Sequence, residues 1–204
     1  MAEALHLHRL VSRARQLGAS AAAPVPAVAV VVDERVRLKC RVPLCAHYGH
    51  NLMCPPNVME PHETSAVLRR YGDALVVQSD IPVSQHDVDE VCGGLPYAEA
   101  HGRKAGLTAL RDSQNDFAAL MTALETDAFK MGYRYAAAFN GGDCVLCEEC
   151  VGAGSGEPCR HPFAARPSME AVGIDVVATA AAAGLTVELP AEDHPRWTGL
   201  LLID

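Results

Sequence analysis

Apolar residues recur at helical spacing in two segments of the chain. In residues 1–18 they fall on one helical face, and Gly18 follows as a stop signal. A longer amphipathic segment begins near Ser113, whose spacing to Asp116 fits a helix cap, and it ends at Gly132. Both segments are predicted to be helices that pack against a core. Their apolar positions are Ala4, Leu7, Val11, Ala14 and Leu17 in the first, and Phe117, Leu120, Met121, Leu124 and Ala128 in the second.

Short runs of apolar residues predict buried strands between these helices. We expect strands at 27–32, 36–39, 74–78, 133–139 and 185–189. Further helices are predicted at 62–71 and 168–183, because Gly72 and Gly184 follow as stop signals. The pattern predicts an α/β (or α+β) fold with a small mixed sheet and helices.

The order of the predicted elements suggests a duplication inside a single metal-binding domain of residues 1–204. Residues 25–80 and 133–204 both follow the order strand, cysteine loop, helix, strand, and a helical insert at 81–132 joins them. No residue-level identity relates the two halves, so an unrelated arrangement is the alternative. The connection through Cys92 to Pro96 and Gly102 to Gly106 is expected to be long and irregular.

Composition and charge narrow the class of protein. Of the 204 residues, 50% are hydrophobic and 21% are charged, so the chain can bury a core without disulfide staples. The formal net charge of −8 argues against nucleic acid as a partner. The apolar stretch from Ala19 to Val32 is too short for a membrane span and is interrupted by Pro24 and Pro26. We therefore expect a cytoplasmic protein, with a packed N-terminal helix favoured over a transit peptide.

The strongest chemical signal is a run of four cysteines, Cys144, Cys147, Cys150 and Cys159. Two residues between successive cysteines let three thiolates point toward three corners of an iron–sulfur cubane, as in a bacterial ferredoxin run. The fourth cysteine comes later than in that run, so it either returns to the same cluster or serves another. Structural zinc is the alternative, but zinc sites usually present two separated Cys-x2-Cys pairs.

A second set lies upstream, at Cys40, Cys45 and Cys54. Three thiolates are enough for most of a cluster site. If the fourth ligand is exogenous, one iron is an open Lewis-acid position from which enzymatic chemistry can come. A structural metal site is the alternative. Protein candidates for the fourth ligand are Cys92, Cys159, His47, His50 and His62.

Several short motifs together resemble a known family. They include Cys54-Pro55-Pro56, the downstream cysteine triplet, Cys159-Arg160-His161-Pro162 and the run from Arg166 to Val176. In this combination the chain, from about Cys40 to its C-terminus, resembles the uncharacterised predicted metal-binding proteins known as domain of unknown function 2284. The resemblance implies that the cysteines bind metal, and it implies no reaction or substrate.

Arg160, Arg166 and Ser168 are candidate cofactor-binding residues. Pro167 and Ser168 are expected where a helix begins, so backbone N–H groups and the positive end of the helix dipole would face a negatively charged cluster. The two arginines would add positive charge. The alternative for Arg166 is an ion pair with Glu170 on the helix surface.

These patterns favour an iron–sulfur protein that transfers electrons. We expect one or two clusters, most simply of the 4Fe-4S type, and a redox partner protein or small molecule as partner. The alternatives are an enzyme that binds substrate at a three-cysteine cluster and a structural zinc-binding interaction module. No hydrolase triad, phosphate loop or dinucleotide fingerprint is found in the sequence. Catalytic residues and oligomeric state are not predicted.

Overall fold

A four-stranded antiparallel sheet forms the centre of the fold. The computed structural model describes residues 2–82, 106–188 and 195–204. Every adjacent pair of strands is antiparallel, and the order across the sheet is β1-β2-β4-β3. The predicted α/β class is confirmed. The strands are β1 (Ala21–Pro26), β2 (Asp73–Asp80), β3 (Ala137–Phe139) and β4 (Arg196–Ile203).

Helices cover both faces of the sheet. The described residues contain α1 (Ala2–Gln16), α2 (Glu34–Arg41), α3 (Pro61–Leu68), α4 (Gly106–Lys130) and α5 (Val176–Ala182). Helices α1 and α4 pack on one face. On the other face lie α3, α5 and a short 3-10 turn, Glu170–Val172. Two further 3-10 turns span Ala27–Ala29 and Ala153–Ser155.

Strand β2 is buried on both faces because helices lie above and below it. Leu75 and Val77 join the core against α1 and α4, whereas Ala74 and Val76 join the core on the opposite face. Side chains of a strand alternate between the two faces of its sheet, so one apolar run supplies both cores. The sheet thereby holds the loops that carry the cysteines at fixed positions.

Several sequence predictions are confirmed by these elements. The first helical stripe is α1, the helix at 62–71 is α3, and the strand at 74–78 is β2. The middle helix is α4, but it begins at Gly106, so Ser113 and Asp116 lie inside it and the predicted cap is wrong. The Ser113 hydroxyl instead donates to the Leu110 carbonyl at 2.8 Å and accepts from the Trp197 indole N–H at 3.0 Å.

Two predicted strands near the N-terminus are wrong. Residues 27–32 contain a 3-10 turn, and the strand lies earlier, at β1. Strand β1 is at the edge of the sheet, where Pro24 and Pro26 are tolerated because not every N–H must donate. Residues 36–39 lie in α2, because the Asp33 carboxylate caps that helix by accepting from the Arg35 backbone N–H at 2.8 Å.

The predicted helix at 168–183 is divided. Gly173 has a φ of +85° and separates the 3-10 turn from α5, whose first turn is capped by Asp175. A Cβ atom at Gly173 would lie 2.8 Å from Cγ of Pro61, so the close approach to α3 also requires glycine. The strand at 133–139 is limited to β3, and residues 185–188 form no strand.

The proposed duplication stays a prediction. The first cysteine segment begins inside the last turn of α2, whereas the second follows β3, so the two halves differ in the element that leads into the cysteines. Cys92, Gly102 and Leu189 lie outside the described residues, as does most of the predicted irregular connection. Strand β4, which pairs with both β2 and β3, was not predicted.

Candidate metal centres

The four downstream cysteines line one cavity. Cys144, Cys147 and Cys150 lie in the loop after β3, and the chain then returns so that Cys159 borders the same space. All four are free, partly buried thiols. The cavity is narrow, with a volume of about 20 Å³. The position of Cys159 therefore groups it with the downstream triplet, a choice that its spacing left open.

Backbone N–H groups point at two of these thiols. The N–H of Leu146 donates to the Cys144 sulfur, and the N–H of His161 lies 3.4 Å from the Cys159 Sγ. Burial raises the pKa of the Cys144 thiol, the Leu146 hydrogen bond lowers it, and the charges of the other three cysteines raise it. All four sulfurs are thus close enough to interact electrostatically.

The three residues predicted to support a cofactor have different surroundings. Arg160 lines the downstream cavity, and its guanidinium donates to the Glu149 carbonyl at 2.9 Å. Arg166 forms an ion pair with Glu125 of α4, so the alternative interpretation, a pairing with Glu170, is wrong.

Ser168 lies on the wall of a different cleft. Its hydroxyl accepts from the Ala171 N–H at 3.1 Å. Because a three-residue 3-10 turn follows Ser168, the long helix expected to supply a dipole is not formed there. The cofactor-binding roles of Ser168 and the two arginines stay predictions.

The upstream cysteines border this second, larger cleft. Cys40 lies in the last turn of α2, and Cys45 and Cys54 follow in the next loop. The Cys45 N–H donates to the Cys40 carbonyl at 3.1 Å, which folds the chain so that both face the same cleft. Cys54 is the most buried of the three, at 8% exposed. The cleft has a volume of about 830 Å³.

The upstream thiols influence one another electrostatically. Burial raises the pKa of the Cys54 thiol to about 12, and the charges of Asp143, Cys45, Cys40 and Cys144 also raise it. Burial likewise raises the pKa of Cys40, with Cys45 contributing. These thiols are therefore protonated in the metal-free protein at neutral pH, and a metal must displace their protons.

The candidates for a fourth upstream ligand are now fewer. Cys159 lies in the downstream cavity, and Cys92 is outside the described residues. His50 and His62 are exposed. His47 lines the cleft together with the three cysteines, and its Nε2 lies 3.5 Å from a carboxylate oxygen of Asp143. His47 and an exogenous ligand therefore fit the geometry of the described residues best.

Asn51 links the two cysteine segments and was missed by sequence reasoning. Its side chain is 5% exposed, accepts from the Met53 N–H at 2.9 Å and donates to the Cys144 carbonyl at 3.1 Å. Its own carbonyl accepts from the Cys54 N–H at 3.0 Å. The signal that could have revealed it is an asparagine inside a cysteine loop, a residue type that often bonds nearby backbone.

Acidic side chains also line the upstream cleft, among them Asp143 and Glu170. Glu170 is accessible from the cleft, yet the atoms crowded around it raise the pKa of its carboxyl by desolvation. Its hydrogen bond with Ser168 and the charge of Lys39 act in the opposite direction. The upstream cleft therefore combines thiols, an imidazole and carboxylates, whereas His161 and Arg160 accompany the four thiols in the lining of the downstream cavity.

Neither set is arranged around a single point. Within residues 2–82, 106–188 and 195–204, no three His, Cys, Asp or Glu side chains converge closely enough to hold one metal ion. Each set of cysteines nevertheless borders a single cavity, the downstream set one and the upstream set the other.

Fold and cysteine sites together define an α/β protein with two candidate metal centres. The chain belongs to the family described as "Predicted metal-binding protein (DUF2284)", whose model matches residues 23–203. Metal binding and the expected family are thereby supported. No curated protein and no solved structure matches the chain. None of the helices in the described residues has the length and apolar character needed to cross a bilayer.

Proposed function

We propose that this chain is an iron–sulfur protein with two clusters and that it transfers electrons. Cys144, Cys147, Cys150 and Cys159 would hold one cluster, and Cys40, Cys45 and Cys54 the other. The observation that carries the proposal is the division of the seven described cysteines into two neighbouring sets, each lining its own cavity. Cysteine thiolates are the usual ligands of such clusters.

The number and order of the downstream cysteines favour a cluster over a single zinc ion. All four border one cavity, whereas zinc sites usually present two separated Cys-x2-Cys pairs. The Cys-x2-Cys-x2-Cys spacing of Cys144, Cys147 and Cys150 favours the same choice.

The downstream cavity has the features of a site for electron transfer. Its four cysteines would leave no position that needs an outside ligand, and Leu52, Met53 and Ala165 add apolar surface to its lining. The N–H donors at Leu146 and His161 stabilise negative charge on sulfur, which raises a reduction potential. When bound, a cluster supplies one-electron chemistry.

A second candidate function is catalysis at the upstream set. Three cysteines there adjoin a cleft of about 830 Å³, which is large enough for a small molecule. His47 and Glu170 line the same cleft and are candidates to move protons during a reaction. Adding a small thiol to the anaerobic protein should change the spectrum of the upstream cluster alone. If both spectra stay unchanged, the upstream set is closed and catalysis there is excluded.

Single substitutions test the two-cluster proposal. After anaerobic purification, Cys147→Ser and Cys40→Ser should each remove roughly half of the iron and sulfide, because each breaks one set. Cys92→Ser is the matched control and should leave both clusters in place. Loss of the upstream signal in the control would make Cys92 its fourth ligand. Full iron retention by Cys147→Ser would contradict the assignment of the downstream set.

A further inference from the structure

Exposed apolar and basic side chains lie together on α2 and the residues after it. Leu38, Val42 and Leu44 are 56%, 68% and 70% exposed, although most large apolar side chains of the described residues are in the cores. Leu38 and Val42 are four residues apart, which puts them on one side of the helix end. Basic residues are exposed beside them. We call this group the α2 surface: Arg35, Leu38, Lys39, Arg41, Val42 and Leu44.

The α2 surface adjoins the upstream cysteines. Cys40 lies in the same helix, between Lys39 and Arg41, and Cys45 directly follows Leu44. Both thiols are only partly buried, whereas Cys54 is deeper. Cys40 is two residues from Leu38 and so lies on the opposite side of α2. A protein seated on the α2 surface would therefore be separated from the Cys40 thiol by about the thickness of one helix, roughly 10 Å.

The charge of the α2 surface is opposite to that of the whole chain. Helix α2 has the sequence ERVRLKCR, with four basic residues and one acidic residue, in a chain of net charge −8. Arg37 is buried and pairs with Glu60 at 2.8 Å, and Arg35 pairs with the Asp33 carboxylate at 2.5 Å. The remaining positive charge of the α2 surface therefore comes from Lys39 and Arg41. At 0.1 M salt the Debye length is about 10 Å, so remote acidic residues are screened and local charge governs docking.

We propose that the α2 surface docks a small acidic electron-carrier protein, an inference that rests on the proposed iron–sulfur function. An apolar centre with charged neighbours suits a small, transient interface, and complementary charge steers the encounter. The docked carrier loses one electron and the cluster at the upstream set gains it, and no atoms are transferred. The local positive charge favours an acidic partner over a basic one.

Stopped-flow reduction of the purified holoprotein tests this proposal. The donor is a reduced, acidic plant-type [2Fe–2S] ferredoxin at 0.1 M ionic strength. Arg41→Glu/Leu44→Ser should slow the second-order rate at least tenfold, because it reverses charge and removes apolar area. Phe129→Ser/Lys130→Glu makes the same changes on α4, where Phe129 is 63% exposed, and should leave the rate within twofold. Reduction by dithionite should be within twofold for all three proteins.

Iron and sulfide analysis of the same samples distinguishes a failure of the proposed iron–sulfur function from a failure of the proposed docking site. Absence of clusters would refute the proposed function, whereas intact clusters with equal ferredoxin rates in both variants would refute only the docking site. Two further measurements test other binding partners of the α2 surface: sedimentation tests a second copy of the chain, and vesicle binding tests a membrane. A wild-type dimer that Arg41→Glu/Leu44→Ser dissociates would make the α2 surface a self-interface. Binding to anionic phosphatidylserine vesicles that the variant loses would make it a membrane contact, and either result would overturn the proposal.

Discussion

Replacing Asn51 by alanine should destabilise both cysteine sets at once. The side chain is buried and makes two hydrogen bonds, one to the Met53 N–H within the upstream segment and one to the Cys144 carbonyl of the downstream segment. Each such bond contributes about 1 kcal/mol net, so we expect the free energy of unfolding to fall by about 2 kcal/mol. Met53 and Cys144 are partly accessible, so water limits any larger penalty.

Urea unfolding followed by circular dichroism measures this loss, with the denaturant slope expected to stay constant. Asn51→Asp keeps the acceptor for Met53 but loses the donor to Cys144, so it separates the two bonds. Asn57→Ala is a milder control, since Asn57 is exposed and donates a single bond to the Asn51 carbonyl at 3.1 Å.

The metal content of the same variant makes the prediction specific. Asn51→Ala should weaken iron retention at both sets during dialysis, whereas a cysteine substitution weakens only its own set. An unchanged urea midpoint, or iron lost from one set alone, would refute the role of Asn51 as the link between them.

Three further substitutions test the surrounding structure. Asp175→Ala should lower the free energy of unfolding by about 1 kcal/mol through loss of the α5 cap, and Asp175→Asn should restore most of it, as thermal unfolding can measure. Asp127→Asn should cost less than about 1 kcal/mol, because the ion pair that joins α1 to α4 is partly exposed. That ion pair lowers the pKa of the Asp127 carboxyl below its usual value of 3.8. The stability that the pair contributes is therefore present above pH 4 and is lost as the pH falls below that value. A stability difference between Asp127→Asn and the unchanged protein that stays constant down to pH 2 would contradict this expectation. Gly142→Ala should lower the free energy of unfolding more than Gly184→Ala, although both glycines have a positive φ. A Cβ atom at Gly142 would lie 2.6 Å from Nε2 of buried Gln114, whereas a Cβ atom at Gly184 meets nothing within 4 Å. Equal unfolding midpoints for the two variants would refute the clash.

Helices and strands with a clear local signal could be predicted from the sequence. The apolar stripe of α1 and the helical spacing of α4 each indicated a buried face, and both faces do pack in the core. The strand predicted at 36–39 is wrong because the signal for a helix lies outside that segment, at Asp33, whose carboxylate caps α2.

Other parts of the fold depend on contacts that a local pattern cannot reveal. Strand β4 ends in Leu200, Leu201, Leu202 and Ile203, a run without alternation because both of its faces are buried. The division of the predicted helix at 168–183 follows from the approach of Gly173 to Pro61, more than a hundred residues away in the chain. Sequence spacing alone does not contain such information.

The cysteine sets were predictable as groups, but their surroundings were not. Spacing grouped Cys144, Cys147 and Cys150, whereas the return of Cys159 to the same cavity depends on the intervening loop. The upstream cleft is lined by segments from both ends of the chain, and Asn51 bonds across 93 positions to Cys144. The side chains that surround the sets are brought together only by tertiary packing.

The central claim is most directly tested by measuring iron, acid-labile sulfide and zinc in protein purified anaerobically. Two clusters of the 4Fe-4S type predict a brown protein with equal amounts of iron and sulfide, about eight of each per chain. Exposure to air should bleach the colour and release sulfide. A colourless protein with stoichiometric zinc and no sulfide would contradict the account and identify the cysteines as a structural zinc site.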